Sequence, residues 1–163
     1  MKTKDLALIG IMSALMIVLQ VALSFLPNIE LVSLLLILYT LFFGWKTLFI
    51  IYIFVFVEGL IFGFGLWWIS YLYVWTILFF ITIFLKENRS PYFWALISGS
   101  FGLFFGALTS ITYLFVGGFS MALASWVSGI PFDIVHCIGN FIIALLFFKP
   151  LYWLFGHLIN SSI

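Results

Sequence analysis

Hydrophobic residues run along this chain in long blocks, and short groups of glycine, proline and charged residues separate the blocks. Apolar blocks of about 20 residues are typical of helices that cross a membrane. The separators are Pro27-Asn28, Gly44-Trp45-Lys46, Gly63-Phe64-Gly65, the run 86–91, Gly117-Gly118 and Lys149-Pro150. The pattern predicts six transmembrane helices, over residues 6–26, 31–43, 47–62, 66–85 and 92–116 and in a last segment ending at 148. It leaves 119–130 unassigned and indicates an all-α integral membrane protein with one domain, 1–163.

Composition supports this class. The chain is 66% hydrophobic and 7% charged, whereas soluble domains are about one quarter charged. A net charge of +1 provides no basic surface for nucleic acid, and the single Cys137 excludes an internal disulfide. The first block follows Lys2 and Lys4, as in a signal peptide, but its length and the later blocks predict a retained first helix.

The positions of the basic residues provide an independent check on the number of helices. With six crossings, every lysine and arginine falls on one side of the membrane, namely Lys2, Lys4, Lys46, Lys86, Arg89 and Lys149. The positive-inside rule makes that side cytoplasmic, so both termini are predicted to be cytoplasmic.

Carboxylates follow a different distribution. Glu30, Glu58 and Asp133 fall in the outer half, where this topology places no basic side chain. At helical spacing, Asp133, His136 and Asn140 share one face. Lipid would leave these groups unsatisfied, so we expect the face to border an outward-facing cavity.

Each of these residues also has a structural explanation. Asp133 can stabilise the N-terminus of the last helix, if that helix begins near Pro131. His136 can bond a backbone carbonyl, and Asn140 can join two helices. Glu30 is expected to be solvated at the interface or to touch a ligand. A mid-span carboxylate such as Glu58 is costly and usually functional.

Two further patterns involve aromatic and small residues. In "WWISYLYVW", Trp67 and Tyr71 share a helical face that can stack on a planar ring or belong to an interfacial aromatic belt. Ala7, Gly10 and Ala14 form a small-residue face on the first helix, suited to packing or to a partner protein. The fifth helix repeats this spacing with Ser98, Gly102 and Gly106.

Three stretches, "ALIGIMSALMIVLQ", "PNIELVSLLLILYTLFFG" and "GIPFDIVHCIGN", together with the six helices, resemble the substrate-binding S component of energy-coupling factor (ECF) vitamin transporters. The resemblance implies a bacterial cell-membrane protein that binds a micronutrient outside and docks on a transmembrane coupling subunit driven by two ATPase subunits. In that family the helix-one small-residue face contacts the coupling subunit, and Ala7, Gly10 and Ala14 match it here. The absence of a P-loop fits this division of labour.

The N-terminal sequence and the positions of the basic residues also indicate which class of ligand to expect. Metal-binding members of the family carry an N-terminal histidine, and "MKTKDLAL" departs from that pattern, which puts nickel or cobalt in doubt. The inner location of all cations argues against anionic folate, biotin or pantothenate. Vitamin B6 is the first expectation, hydroxymethylpyrimidine or thiamine the second, and a cobalamin-related ligand the third. The expected substrate-binding residues are Glu58, Trp67, Tyr71, Asp133, His136 and Asn140, with Asn28 and Glu30 in a lid.

Two other functions remain open from the sequence. A self-sufficient proton-coupled transporter would use Glu58 or Asp133 as its proton-binding acid. An intramembrane enzyme would use Asp133 and His136, but the chain carries no hydrolase elbow or HExxH pair. We therefore expect no catalytic residues, no resident metal and no cofactor.

Overall fold

The computed structural model describes residues 2–160, and every regular element in that range is an α-helix. Met1 and residues 161–163 of the expected domain lie outside the described residues. The helices are α1, Thr3–Leu23; α2, Val32–Phe43; α3, Lys46–Phe62; α4, Leu66–Phe84; and α5, Pro91–Asn160. The all-helical prediction is confirmed, and the first four helices end within three residues of their predicted positions.

The long helix α5 is two helices joined at a glycine pair. Gly117 and Gly118 leave helical geometry, and Gly118 has φ 71°, a value that favours glycine because it has no Cβ. The break divides α5 into an ascending arm, residues 91–116, and a returning arm, residues 119–160. The described chain therefore contains six helical segments, and the separator at Gly117-Gly118 is a true turn.

The two arms run antiparallel and touch closely. The Gly106 backbone N–H donates to Asp133 Oδ1 at 2.9 Å, and Gly102, one turn earlier, lies against the backbone of His136 one turn later. A Cβ added at Gly102 would lie 2.8 Å from the His136 carbonyl carbon and oxygen. The small-residue face of the ascending arm thus packs within the fold, because only a residue without a side chain permits this approach.

Helix α2 forms the centre of the bundle. Residues 32–40 are all buried, and α2 packs against α1, α3, α4 and α5. A helix that is apolar all round is stable only when neighbours surround it, which is the position α2 occupies. Its 12 residues rise by about 18 Å, well below the roughly 30 Å of a bilayer core.

Within the described part of the chain, three helices are long and apolar enough to cross a membrane: Thr3–Leu23, Leu66–Phe84 and Pro91–Ile159. Helices α2 and α3 are shorter, with 12 and 17 residues. The segments are compatible with a membrane protein. Six full crossings and the cytoplasmic location of both termini stay predictions.

Pro131 does not begin a helix. It lies inside the returning arm, which is helical from Phe119 onward. Asp133 is therefore not a first-turn acid, and the structural alternative of a helix start near Pro131 is excluded. Packing of the arm against its antiparallel neighbour keeps this stretch helical despite the N–H that proline lacks.

The predicted end of the last helix at Phe148 is also wrong. The returning arm continues through Pro150 to Asn160. Beyond Pro150, the ring of Tyr152 lies 4.8 Å from that of Phe42 in α2, and this contact holds the following turns against the bundle. Tertiary packing here outweighs the local tendency of proline to end a helix.

Three charged residues, Lys4, Asp5 and Lys46, lie together at one end of the bundle. Lys46 Nζ at the start of α3 lies 2.7 Å from Asp5 Oδ1 in the first turn of α1. Lys4 and the last turns of the returning arm, near Phe155, border the same groove. The segment 24–31, which joins α1 to α2, lies at the opposite end of these helices.

We expect Gly102→Ala to lower the free energy of unfolding by about 1–3 kcal/mol, because the new methyl group must push the two arms apart. Thermal unfolding in detergent, followed by circular dichroism, measures this change. Gly10→Ala is the matched control: its Cβ would meet nothing within 4 Å, so alanine's helix propensity should leave stability unchanged or raise it by up to about 1 kcal/mol. Equal stability of the two variants would contradict the close approach.

Candidate functional site

A cavity of about 310 Å³ opens at the end of the bundle away from Lys46. Its walls come from the last turn of α1, the connecting segment 24–31, the first turns of α4 and both arms of α5. Segment 24–31 turns back over the bundle at Asn28, whose φ is 59°, and Asn28 itself lines the cavity. The cavity is therefore enclosed partly by a connection and partly by helices.

Aromatic rings form one wall. Trp67, Tyr71 and Trp75 occupy successive turns of α4, so all three face the cavity. The ring centroids of Trp67 and Tyr71 are 5.1 Å apart at 86°, and those of Tyr71 and Trp75 are 5.4 Å apart at 83°. Phe105 from the ascending arm completes the wall, 5.5 Å from Trp75. Edge-to-face packing of this kind fixes the rings in place before any ligand binds.

A buried polar pair lies beside this wall. Glu30 Oε1 is 3.3 Å from His136 Nε2, and Glu30 Oε2 accepts the backbone N–H of Ser33 at 2.8 Å. The two residues are only 8% and 4% exposed. The expectation that Glu30 is solvated is therefore wrong. Segment 24–31 folds back so that the carboxylate binds the first turn of α2 and the returning arm together.

The surroundings of Glu30 favour its charged form. Burial by itself raises the pKa of this carboxyl, but the contacts with His136 and Ser33 lower it by more, so the pKa lies below its ordinary value. The carboxylate is therefore ionised at neutral pH. It supplies negative charge to a cavity whose lining contains no lysine or arginine.

Two residues that line the cavity each have a buried side-chain nitrogen without a partner among residues 2–160. These atoms are Nδ1 of His136 and Nε1 of Trp75. An unsatisfied buried polar group costs about 1–3 kcal/mol, so a side-chain movement that brings either nitrogen to a ligand would recover that energy. The indole N–H can only donate, whereas the imidazole nitrogen accepts or donates according to its tautomer.

Three expected substrate-binding residues lie outside the cavity lining. Asn140 Nδ2 donates to Ser33 Oγ at 3.1 Å and so joins the returning arm to α2. Asp133 accepts the N–H of Gly106 and joins the two arms. Glu58 is buried in α3, and its Oε1 has no hydrogen-bond partner in the described part of the chain. Within residues 2–160, no acidic, histidine or cysteine side chains form a group of three that could hold a metal ion.

Several lining residues were not identified from the sequence as site residues, and three of them are large or polar side chains on the helices. Trp75 lies four residues after Tyr71, so extending the helical spacing by one turn would have found it. Gln20, which also lines the cavity, carries the only amide in the first apolar block. Phe105 gives no sequence signal, because a phenylalanine in an apolar helix looks the same whether it faces lipid or a cavity.

The expected docking face on α1 is unoccupied by the rest of the fold. Ala7, Gly10 and Ala14 are exposed, and a Cβ at Gly10 would meet no atom within 4 Å. This small-residue face is therefore open along α1.

We expect Glu30→Gln to lower the free energy of unfolding by about 1–3 kcal/mol at neutral pH, because a neutral amide replaces a charge-assisted contact with His136. The pKa of Glu30 in the folded state lies below its ordinary value of 4.5, so the carboxylate stabilises the fold above that value and loses its contribution as pH falls through the folded pKa. The stability difference between wild type and variant should therefore shrink at pH values below 4.5.

Denaturant or thermal unfolding in detergent across a pH series measures this difference. Glu87→Gln is the control, because Glu87 is exposed in the connection between α4 and α5. An unchanged stability in Glu30→Gln at neutral pH would show that the pair does not hold segment 24–31.

Comparison with known proteins identifies no relative of this chain. No family model matches the chain, and neither the curated proteins nor the solved structures contain a significant match. The basis for assigning a function is therefore the geometry of the cavity together with the sequence motifs.

Proposed function

We propose that this protein is the substrate-binding subunit of an ECF-type importer in a bacterial cell membrane, and that it binds a compact vitamin or vitamin precursor. The observation that carries the proposal is the cavity itself. It combines a wall of fixed aromatic rings with the buried Glu30–His136 pair, at the end of the bundle opposite Lys46 and Asp5.

The size of the cavity supports a small ligand. Ligand pockets generally range from about 300 to 1,000 Å³, and a volume of about 310 Å³ is at the lower limit. A single substituted heteroaromatic ring such as pyridoxine or pyridoxamine suits this space. Hydroxymethylpyrimidine or thiamine is the next candidate. The volume argues against a cobalamin-related ligand, whose corrin ring is far larger.

The charge of the cavity supports a neutral or cationic ligand. Glu30 and His136 are the only acidic or basic side chains in its lining, so a phosphate or carboxylate would find no lysine or arginine to pair with. A ring bearing hydroxyl or amino groups can stack on Trp67 or Tyr71. Its polar edge can then meet the Glu30–His136 pair, and a rotation of His136 or Trp75 would bring an unpartnered nitrogen to the ligand.

Energy coupling would come from partner proteins. The chain carries no nucleotide-binding motif, and the resemblance implies docking on a coupling subunit with two ATPase subunits. The open small-residue face of Ala7, Gly10 and Ala14 is suited to close contact with a partner helix. In this arrangement the described chain binds the ligand, and its partners drive release.

Titration calorimetry of the purified protein against pyridoxine, pyridoxamine, hydroxymethylpyrimidine, thiamine and pyridoxal phosphate tests the ligand class. We expect one of the unphosphorylated compounds to bind and the phosphorylated one to be rejected. His136→Ala should weaken binding by about 10- to 100-fold, since a buried polar group left without its hydrogen-bond partner costs about 1–3 kcal/mol.

Trp126→Phe is the control, because Trp126 is exposed on the returning arm and does not line the cavity. Absence of binding by all unphosphorylated compounds would remove the ligand class. Unchanged affinity in His136→Ala would remove the proposed site.

A second candidate function rests on Glu58. This carboxyl is 2% exposed and has an oxygen with no hydrogen-bond partner among residues 2–160, as a proton-binding acid in a self-sufficient transporter would require. Uptake by the chain alone in vesicles with a proton gradient, abolished by Glu58→Gln, would establish this function. Uptake only with ATP, a coupling subunit and ATPases would support the importer. We expect the second result, with Glu58→Gln retaining transport.

A further inference from the structure

A second concave surface lies on the flank of the bundle, between α1 and the last turns of the returning arm. Leu15 and Leu19 of α1 form one wall, Leu151 and Leu154 form the other, and Leu35 of α2 lies at the floor. The groove has a volume of about 420 Å³, and every residue that lines it is hydrophobic. It is separate from the cavity at Glu30, with which it shares no lining residue.

At one end the groove opens into a polar mouth. Met12 and Phe155 line both the groove and the adjoining pocket that contains Lys4, Asp5 and Lys46. Asp5 is engaged by Lys46 at 2.7 Å, whereas Lys4 is exposed and has no ion-pair partner among residues 2–160. The polar end therefore carries one uncompensated positive charge next to a wholly apolar groove.

The dimensions of the groove match a lipid chain. Leu19 lies fifteen positions after Lys4, a rise of about 22 Å along α1, and one leaflet of the hydrocarbon core is about 15 Å deep. The groove offers about 420 Å³ beside these residues, which is enough for a single extended chain to lie in it. The uncompensated charge of Lys4 at its mouth favours a chain that carries an anionic headgroup.

We propose that this groove is a binding site for one anionic phospholipid. One acyl chain lies between α1 and the returning arm, over Leu35, and the anionic headgroup lies at Lys4. Basic residues at the cytoplasmic ends of transmembrane helices attract anionic headgroups. The groove also holds the acyl chain, whereas a lipid elsewhere around the protein has no such binding surface for its chain. The inference does not depend on the ligand of the Glu30–His136 cavity.

Native mass spectrometry of the intact protein in detergent tests this site, with phosphatidylglycerol and phosphatidylcholine of identical chains as the probes. We expect one phosphatidylglycerol to be retained under activation that strips phosphatidylcholine. Lys4→Gln should reduce the preference for phosphatidylglycerol by about five-fold, the effect of removing one lysine near an anionic headgroup. Lys86→Gln, at another exposed lysine, should not reduce it.

Filling the groove provides an independent readout. Leu15→Trp from α1 and Leu154→Trp from the opposite wall should each abolish the retention of phosphatidylglycerol, because the indole occupies the groove. Val18→Trp is the matched control, since Val18 is 61% exposed on α1 and does not line the groove. Circular dichroism and thermal unfolding of the three variants establish that each is folded.

Several outcomes would overturn the proposal. Equal retention of the two lipids, or an equal effect of Lys4→Gln and Lys86→Gln, would indicate annular lipid only. Unchanged retention in folded Leu15→Trp and Leu154→Trp would place the lipid elsewhere. Loss of a co-purifying membrane protein in these variants, with lipid retention intact, would show that the occupant is a protein helix.

Discussion

The contact between the two arms of α5 is the interaction on which the cavity depends. Because Gly102 has no side chain, the ascending arm lies directly on the backbone of His136, and this contact sets the depth at which the imidazole meets Glu30. Asp133 and Asn140 flank the same contact, one bonded to the ascending arm and the other to α2. The polar residues on this helical face therefore have separate tasks: the outer two hold helices together, and the middle one faces the cavity.

Much of the fold could be predicted from the sequence, because glycine and charged residues interrupt the apolar blocks where helices end. The breaks at Gly44 and at Gly117-Gly118 both occur in the structure. The error concerns Pro150, where the last helix was predicted to end, and the same local rule fails at Pro131, the alternative helix start. Contacts with α2 and with the neighbouring arm override that rule, and nothing in the local sequence reports them. The short length of α2 could be read from the sequence. Its position at the centre of the bundle could not, because that position depends on the helices that pack around it.

The cavity was less predictable than the helices. Helical spacing identified Trp67 and Tyr71 as a pair, and the structure places both in the wall. The burial of Glu30 was not foreseen, because it depends on the path of segment 24–31, which follows from contacts with residues far away in the sequence. The spacing of Asp133, His136 and Asn140 predicted a face that borders a cavity; all three are buried, but of the three only His136 lines the cavity. The spacing did not indicate which of them would lie beside a void and which beside another helix.

The two prolines of the returning arm divide it into stretches of different stiffness. Each removes one hydrogen bond from the backbone ladder, so bending concentrates near Pro131 and Pro150 and the helix between them is stiffer. His136 and Asn140 both lie on this inner stretch, which α2 and the ascending arm clamp through Ser33 and Ser98. The imidazole thus lies on the stiffer stretch, between the two points where the backbone ladder is interrupted, which fixes its position against the carboxylate.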